Sequence, residues 1–431
     1  MNPQSNLIIS TDPGSRTLEF DFPSLWIGTS EYPEGPTGAT VFWFPNKAVA
    51  AVDVRGGAPG GYNLDWLKLG YDFPNLDALV ISGGSWYGLG TAAGVSAALK
   101  QRAHRSGHWS NLAAVAGAII YDYGLRRLTS YHPDERLGVA ALDAAKPGMF
   151  PLGARGAGRN TMQGSYFGLW LHSGQGGAFA QHGATKVAAF TVVNSVGVIV
   201  DGAGRVVTGG QKIPPDASSI NSLLGLVPDQ IRSQSGSIMG QRRSVMNPAN
   251  TTISVVVTNQ KLSFAELQRL AVQVHTSMGR MIQPLATAND GDILFAVSTG
   301  EVEGDALHPT DLGVVASEVM WSAVLSSVPA LDDFQAAEII EAAGDVDGNY
   351  QFSPEVSIEA RRLDGGLELT FRGSRDVFGV EPGTVMRASR SGKTFDVGRG
   401  YLERVAFSMS RASKISLVLN PGHWQQVGTR T

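Results

Sequence analysis

The chain has 431 residues, of which 43% are hydrophobic and 17% are charged, and its formal net charge is −4. This composition is ordinary for a globular protein and provides no broad basic surface, so nucleic acid is not an expected partner. The absence of cysteine excludes disulfides, thiolate catalysis and cysteine-based metal sites. No apolar run approaches the roughly 18 to 20 residues of a membrane span, and the N-terminal residues lack a signal-peptide pattern. We therefore expect a cytoplasmic protein with no membrane partner.

The first half of the chain alternates between apolar strand-like runs and helical patterns. Strands are predicted at Ala48–Val54, Leu76–Ile81, Ala113–Tyr121 and Val187–Asn194, and helices at Gly88–Arg105 and Pro133–Ala145. Continuous apolar strands with helices between them indicate sheets that are covered on both faces.

A long polar stretch, Thr208–Ala249, separates this half from a strongly β-branched segment, Thr251–Thr258. A stretch of this length with weak periodicity is either disordered or functional when it occurs in a compact enzyme. The segment that follows it is predicted to be a β-strand, because β-branched residues favour strands.

The region after this strand continues the alternation of helices and strands. Ser263 and Glu266 have the spacing of a capping box, which predicts a helix beginning at Ser263. The Asp290-Gly291-Asp292 turn then precedes a predicted strand, Ile293–Thr299, and a helix is predicted over Asp311–Val328.

The last hundred residues differ in pattern from the rest of the chain. Apolar and polar residues alternate from Val356 to Ala360 and again from Leu367 to Phe371, with Asp364-Gly365-Gly366 between them, which predicts a hairpin. Further strands are predicted at Tyr401–Met409 and Ile415–Leu419. We therefore interpret residues 330–431 as a small β-rich C-terminal domain of unknown role, and residues 1–329 as the core.

The candidate nucleophile is Thr251, which lies where the polar stretch meets the strand. A hydroxyl needs a base to become a nucleophile, and no G-x-S-x-G motif is present. A threonine at a new N-terminus carries its own base, because the pKa of an α-amine is roughly 7.7 to 8. Threonines also open many β-strands for purely structural reasons, so the spacing alone leaves both interpretations open.

Several longer motifs resemble one enzyme family. Downstream they are Asn250-Thr251-Thr252-Ile253-Ser254, Gln273-Val274-His275-Thr276-Ser277-Met278, Asp290-Gly291-Asp292-Ile293-Leu294-Phe295-Ala296-Val297 and Ala316-Ser317-Glu318-Val319-Met320-Trp321. Upstream they are Glu34-Gly35-Pro36-Thr37-Gly38-Ala39-Thr40, Ile119-Ile120-Tyr121-Asp122 and Val196-Gly197-Val198-Ile199-Val200-Asp201. In this order they resemble the nylon oligomer hydrolases, which cleave 6-aminohexanoate oligomers and belong to the DmpA-type group of L-aminopeptidase/D-esterase and β-aminopeptidase enzymes. The resemblance covers residues 17–328.

The resemblance implies a fold and a maturation step. The expected fold is α/β, a four-layer α/β/β/α sandwich of the DmpA, N-terminal-nucleophile type, with the β-rich C-terminal domain added. Self-cleavage between Asn250 and Thr251 would divide the chain into an α-segment, 1–250, and a β-segment that starts at residue 251. The resemblance also implies a homo-oligomer, a tetramer of processed protomers, and no cofactor or metal.

The resemblance also implies roles for individual residues. Thr251 would be the nucleophile, Asp290 and Asp292 would orient it and its amine, and Asn194 would donate to the oxyanion. Tyr121 would place its hydroxyl near the nucleophile. Taken singly, the asparagine and the tyrosine are equally consistent with ordinary buried polar residues. The two aspartates are equally consistent with a tight turn, and a metal site is a third alternative.

One position departs from the family pattern. The nylon oligomer hydrolases have an active-site lysine upstream of the motif that is Gly174-Gln175-Gly176 here, and Ser165 occupies that position. Lys186 lies too far along the chain to replace it. The loss of this cation is expected to affect self-cleavage, the pKa of the Thr251 amine or the choice of substrate.

These observations predict an autoproteolytic amidohydrolase that cleaves short oligo-amides or peptides through an acyl-Thr251 intermediate. Three alternatives stay open. One is an aminopeptidase, and another is an acyltransferase like the ornithine acetyltransferases, which share a related fold. The third is an unprocessed binding or assembly protein, which the missing lysine and the C-terminal domain suggest.

Overall fold

A computed structural model describes residues 3–69, 75–102, 108, 111–124, 127–225, 250–303, 306–330, 339–340, 346–374, 378–399, 402–409 and 414–431. Most of the polar stretch before Thr251, residues 226–249, lies outside the described residues. Among the helices that are described, none has both the length and the apolar character needed to cross a membrane.

Five α-helices and 25 β-strands have defined bounds among the described residues, and residues 220–225 are also helical. The helices are α1 (Asp65–Lys68), α2 (Gly90–Arg102), α3 (Glu135–Ala144), α4 (Phe264–Met278) and α5 (Pro309–Ser326). The strands before residue 226 are β1 (Thr17–Glu19), β2 (Trp26–Tyr32), β3 (Thr37–Val54), β4 (Gly61–Tyr62), β5 (Asn75–Ser82), β6 (Val115–Ile119), β7 (Lys146–Pro147), β8 (Met149–Pro151), β9 (Met162–Gln163), β10 (Leu171–His172), β11 (Gln175–His182), β12 (Thr185–Asn194) and β13 (Val198–Ile199). The later strands are β14 (Thr251–Gln260), β15 (Ile282–Gln283), β16 (Ile293–Val302), β17 (Ile339–Ile340), β18 (Gly348–Ser353), β19 (Val356–Leu363), β20 (Gly366–Gly373), β21 (Val385–Ser391), β22 (Thr394–Arg399), β23 (Leu402–Met409), β24 (Ile415–Leu419) and β25 (Gln426–Arg430).

One mixed sheet organises the core. Its strand order is β11-β12-β14-β16-β3-β5-β6-β4, and β2 and β7 extend it beside β3. Strand β14 pairs antiparallel with β12 and parallel with β16. Two strands therefore cover the edges of β14, and all ten of its residues are buried.

The two faces of β14 contribute to different hydrophobic clusters. Ile253, Val255 and Val257 belong to one cluster, whereas Val256 belongs to the cluster that includes the apolar faces of α4 and α5. This follows from the alternation of side chains along a strand. A strand that is apolar on both faces explains the run of β-branched residues after Thr251.

The first cluster also joins parts of the sheet that are not neighbours. The rings of Phe42 on β3 and Phe190 on β12 have centroids 5.3 Å apart, although two strands separate β3 from β12 in the sheet. On the other side of β5 and β6, the apolar residues of α2 and α3 form a separate cluster with Val80 and Val115. Apolar packing therefore covers both faces of this half of the sheet.

The predicted elements agree with the structure in type and differ at their ends. Helix α2 begins at Gly90 rather than Gly88, because Ser85–Leu89 forms a separate 3-10 turn. Helix α3 begins after Asp134, whose carboxylate accepts hydrogen bonds from two backbone amides, so Pro133 precedes the helix. The predicted strand Ala48–Val54 is the second part of the longer β3. The capping box of Ser263 and Glu266 is confirmed.

The C-terminal strands close into a barrel. Strands β18 to β25 each pair antiparallel with the next strand in sequence, and β25 pairs with β18 to complete a ring of eight strands. The predicted hairpin is β19–β20, and its register runs from Val356↔Gly373 to Leu363↔Gly366. Sequence alternation identifies such strands but carries no signal for closure, which depends on pairings distant in the sequence.

Candidate active site

The Asn250–Thr251 peptide bond lies at the start of β14, next to the end of β12. Thr251 is in register with Asn194, and both residues are buried. The Thr251 hydroxyl donates to the Asn250 carbonyl oxygen at 2.6 Å, and the Gly291 backbone N–H donates to the same oxygen at 2.8 Å. The carbonyl before the candidate nucleophile is therefore polarised by two donors.

Gly291 fits this position because it has no side chain. A Cβ atom at residue 291 would lie 2.8 Å from Thr251 Oγ1 and 3.0 Å from the Ala58 carbonyl oxygen. The turn is held from its other side by the backbone amides of Gly56 and Ala58, which donate to the carbonyl oxygens of Asp292 and Asp290. The middle glycine of the Asp-Gly-Asp motif thus places its backbone N–H within hydrogen-bonding distance of the Asn250 carbonyl oxygen.

The two carboxylates of this motif bind backbone amides on either side of the turn. Asp292 accepts from the amides of Thr252 at 2.6 Å and Ala286 at 2.8 Å. Asp290 accepts from the Val196 amide at 3.4 Å and from the amide and hydroxyl of Thr287 at 3.1 and 2.8 Å. Asp292 therefore contacts the residue immediately after Thr251.

Burial raises the pKa of both carboxyl groups in this pair. Burial raises the pKa of Asp292 to about 7, with a further contribution from the negative charge of Asp290, and its hydrogen bonds oppose the shift. Burial also raises the pKa of Asp290. A carboxyl group with a pKa near neutrality can exchange protons at working pH, which is the property required of an acid–base group.

Asn194 and Tyr121 are adjacent in the site. The Asn194 side-chain amide donates to the Tyr121 backbone carbonyl at 2.9 Å, and its Oδ1 accepts from the Met162 amide at 3.2 Å. These two bonds fix the orientation of the Asn194 side-chain amide. Tyr121 contacts Asn194 through its backbone carbonyl, and its ring packs against Tyr123 with centroids 5.9 Å apart. The role predicted for its hydroxyl stays a prediction.

Ser165, at the family's lysine position, lies in the same site. It is buried, and its Oγ accepts from the Asn250 side-chain amide at 2.8 Å. Lys186 is elsewhere, where its ammonium group pairs with Asp21 at 2.7 Å. The structure therefore places a neutral hydroxyl beside Asn250.

The residues predicted from the sequence are brought together by four segments: the end of β12, the start of β14, the turn before β16 and the residues that follow β6. Sequence reasoning missed the Gly291 amide as a donor, although its place between two aspartates and next to an apolar strand marked the turn. In the part of the chain that the structure describes, no three His, Asp or Glu residues cluster as metal ligands.

Comparison with known proteins places this site in a family. The sequence profile of peptidase family S58 matches residues 20–346. The chain is 44% identical over 326 residues to a 6-aminohexanoate-oligomer endohydrolase of Paenarthrobacter ureafaciens, covering 73% of this chain and 86% of the relative. It is 34% identical over 320 residues to an uncharacterized aminopeptidase of Mycobacterium leprae, covering 68% of this chain and 83% of that protein.

A solved structure shares the fold of the core. The β-aminopeptidase of a Burkholderia species superposes with a TM-score of 0.51 at 18% sequence identity, covering 74% of this chain and 89% of that one. The sequence profile and the relatives indicate a hydrolase that acts on amide bonds. The chain belongs to peptidase family S58, and the predicted resemblance is confirmed.

Proposed function

We propose that the chain is an N-terminal-nucleophile amidohydrolase that cleaves itself between Asn250 and Thr251 and then hydrolyses short oligo-amides. The observation that carries this proposal is the environment of the Asn250 carbonyl. Its oxygen accepts from both the Thr251 hydroxyl and the Gly291 amide. A nucleophile and an oxyanion donor thus converge on one buried peptide bond, as acyl transfer requires.

In the proposed self-cleavage, Thr251 Oγ attacks the Asn250 carbonyl carbon. The Oγ–C bond forms, the C–N bond to Thr251 breaks, and the hydroxyl proton is transferred to the departing Thr251 nitrogen. The Gly291 N–H stabilises the negative charge that develops on the carbonyl oxygen. Water then hydrolyses the ester, which leaves the Asn250 carboxylate and a free Thr251 amine.

The same hydroxyl then attacks the substrate. The free α-amine of Thr251 accepts the hydroxyl proton, Oγ bonds to the substrate carbonyl carbon, and the substrate amine departs with a proton. Water hydrolyses the acyl-Thr251 ester and regenerates the hydroxyl. Asn194 is in register with Thr251 and carries a side-chain amide, which is a hydrogen-bond donor, and this supports a role as oxyanion donor in this step.

Asp290 and Asp292 would hold the new ammonium group. Among the residues that the structure describes, each of these carboxylates is bonded to amides or a hydroxyl rather than to a cation. Self-cleavage would introduce a positive charge close to this buried pair, and an adjacent ammonium favours the charged form of a carboxylate. The two aspartates therefore suit the cleaved form of the chain.

The substrate class is inferred from the relatives. The proposed substrate is a short linear amide, such as a 6-aminohexanoate oligomer, which is the substrate named for the Paenarthrobacter relative. We also infer that the core forms four layers, since apolar clusters lie on both sides of each half of the sheet. A homo-oligomer of processed, cytoplasmic protomers is part of the same proposal.

The intact mass of freshly purified protein tests self-cleavage. Fragments of 250 and 181 residues, the smaller with threonine at its N-terminus, are expected. Thr251→Ala should abolish both cleavage and turnover, whereas Thr251→Ser should retain both at a reduced rate. A Thr251→Ala protein that still hydrolyses amides would exclude this nucleophile.

An aminopeptidase is the second candidate, because one relative carries that description. An exo-acting enzyme must bind the free amine of its substrate, whereas an endo-acting enzyme accepts a blocked chain. Paired hydrolysis assays on a free and an N-acetylated 6-aminohexanoate oligomer distinguish them. Equal kcat/KM values support the endo-acting proposal, and loss of activity on the acetylated oligomer supports the aminopeptidase.

A further inference from the structure

A buried loop of the C-terminal barrel contacts the core. This barrel loop, Asn420–Gln425, connects β24 to β25, and His423 and Trp424 within it are almost inaccessible to solvent. Trp424 has a φ of 55°, in the left-handed region that non-glycine residues rarely adopt. Strain of this kind persists only where surrounding contacts determine the conformation.

Those contacts are made with a short segment of the core. The Trp424 indole N–H donates to the Thr161 carbonyl oxygen at 2.9 Å, and His423 Nε2 lies 3.2 Å from the same oxygen. The Arg159 guanidinium donates to the Gly422 carbonyl oxygen at 2.7 Å. The barrel loop thus binds the segment that precedes β9 at two points, the Thr161 carbonyl and the Arg159 side chain.

The opposite side of that segment faces the active site. The Met162 amide donates to Asn194 Oδ1 at 3.2 Å. The Thr161 carbonyl and the Met162 amide belong to the same peptide unit, which is planar and rigid. One peptide unit therefore connects the Trp424 indole to the Asn194 side chain, with a hydrogen bond at each end.

Neighbouring residues of the segment strengthen this connection. The Asn160 side chain donates to the Asp122 carbonyl at 2.7 Å, next to Tyr121, whose carbonyl accepts from Asn194. Beyond β9, Ser165 accepts from Asn250. The segment that the barrel loop holds therefore borders the site at Asn194, Tyr121 and Asn250.

We propose that the barrel loop is a positioning element of the active site, in which Trp424 orients Asn194 through the Thr161–Met162 peptide unit. This inference rests on the proposed function, because it concerns the same asparagine. A donor at the Thr161 carbonyl polarises the peptide unit and strengthens its amide as a donor, as expected for a chain of hydrogen bonds. The loop lies outside the residues that match the family profile, so this contribution is specific to the added barrel.

Trp424→Phe tests the proposal, since it removes the indole N–H and retains an aromatic ring. Loss of one buried hydrogen bond is expected to lower kcat on the acetylated oligomer about fivefold, with KM unchanged. Phe395→Leu is the control, because Phe395 is a buried residue of the barrel that packs on Phe407. It should lower the melting temperature and leave kcat unchanged.

A double-mutant cycle separates positioning from general destabilisation. If Trp424 acts through Asn194, Trp424→Phe should have no further effect on kcat in an Asn194→Ala background. An equal fivefold loss in both backgrounds, or wild-type kcat in Trp424→Phe, would overturn the inference and leave the proposed function intact. A wild-type chain that neither cleaves itself nor hydrolyses amides would instead overturn the proposed function, and the inference with it.

Discussion

Asn194 and Thr251 lie directly opposite each other on the antiparallel strands β12 and β14. Asn194 is the last residue of its strand and Thr251 is the first of its own. Side chains at opposite positions have Cβ atoms about 4.5 to 5.5 Å apart and point to the same face. An oxyanion formed at a carbonyl that Thr251 attacks would therefore be within reach of the Asn194 amide.

Asn194→Ala should lower kcat by about 100- to 1000-fold, the usual effect of removing an oxyanion donor. Asn259→Ala is the matched control, because Asn259 is also buried and also bonds two backbone groups, the Lys186 amide and the Ala184 carbonyl. The control should lose stability and retain kcat. Steady-state kinetics and thermal melts of both variants, in fully cleaved protein, measure the difference.

Gly291→Ala should block self-cleavage while the chain still folds. The new methyl group would lie 2.8 Å from Thr251 Oγ1 and would displace either the hydroxyl or the turn that carries the Gly291 amide. Gly202→Ala is the control, because no atom lies within 4 Å of a Cβ at that position. Cleavage is followed by gel electrophoresis over time, and normal cleavage of Gly291→Ala would contradict the role of this turn.

The uncleaved chain should become less stable as the pH rises towards 7. Burial raises the pKa of Asp292 in the folded state to about 7, from its ordinary value of 3.8, so folding favours the protonated form of this carboxyl group. The folded state then binds more protons than the unfolded state between these pKa values, and the free energy of unfolding falls through that window. Denaturant titrations of Thr251→Ala between pH 4 and pH 8 measure this slope, and Asp292→Asn in the same background should reduce it.

Ser165→Ala should slow self-cleavage but not turnover by the cleaved enzyme. The Ser165 hydroxyl accepts from the Asn250 side chain, which is next to Thr251 only before cleavage. Loss of this buried bond is expected to lower the cleavage rate by about fivefold. Ser173→Ala removes a comparable buried bond, to the Val193 carbonyl at 2.6 Å, and is the control. Equal cleavage rates in the two variants would show that Ser165 has no specific role.

The sequence predicted the elements of the site better than its contacts. The β-branched run after Thr251 and the apolar run ending at Asn194 identified two buried strands, because burial on both faces leaves a continuous apolar pattern. Their direct pairing did not follow from that pattern, since strand order depends on contacts distant in the sequence.

Backbone groups explain what sequence reasoning missed. The Gly291 amide and the Tyr121 carbonyl act through atoms that every non-proline residue has, so residue type carries no signal for them. The position of Trp424 beside Thr161 joins residues 263 positions apart. Such a contact between the barrel and the core has no local pattern that would predict it.

The strand order of the core has a consequence for how the protein can be assembled. Strands β14 and β16 follow residue 250, yet they lie between β12 and β3, which precede it. After the proposed cleavage, the fragment 251–431 would supply β14 and β16, and the fragment 1–250 would supply the strands on either side of them. Folding of the precursor is a unimolecular process, whereas recovery of the cleaved protein from denaturant would require two chains to meet. Cleavage would thus change the kinetic order of refolding, and a protein matured in this way would depend on having been folded once as a single chain.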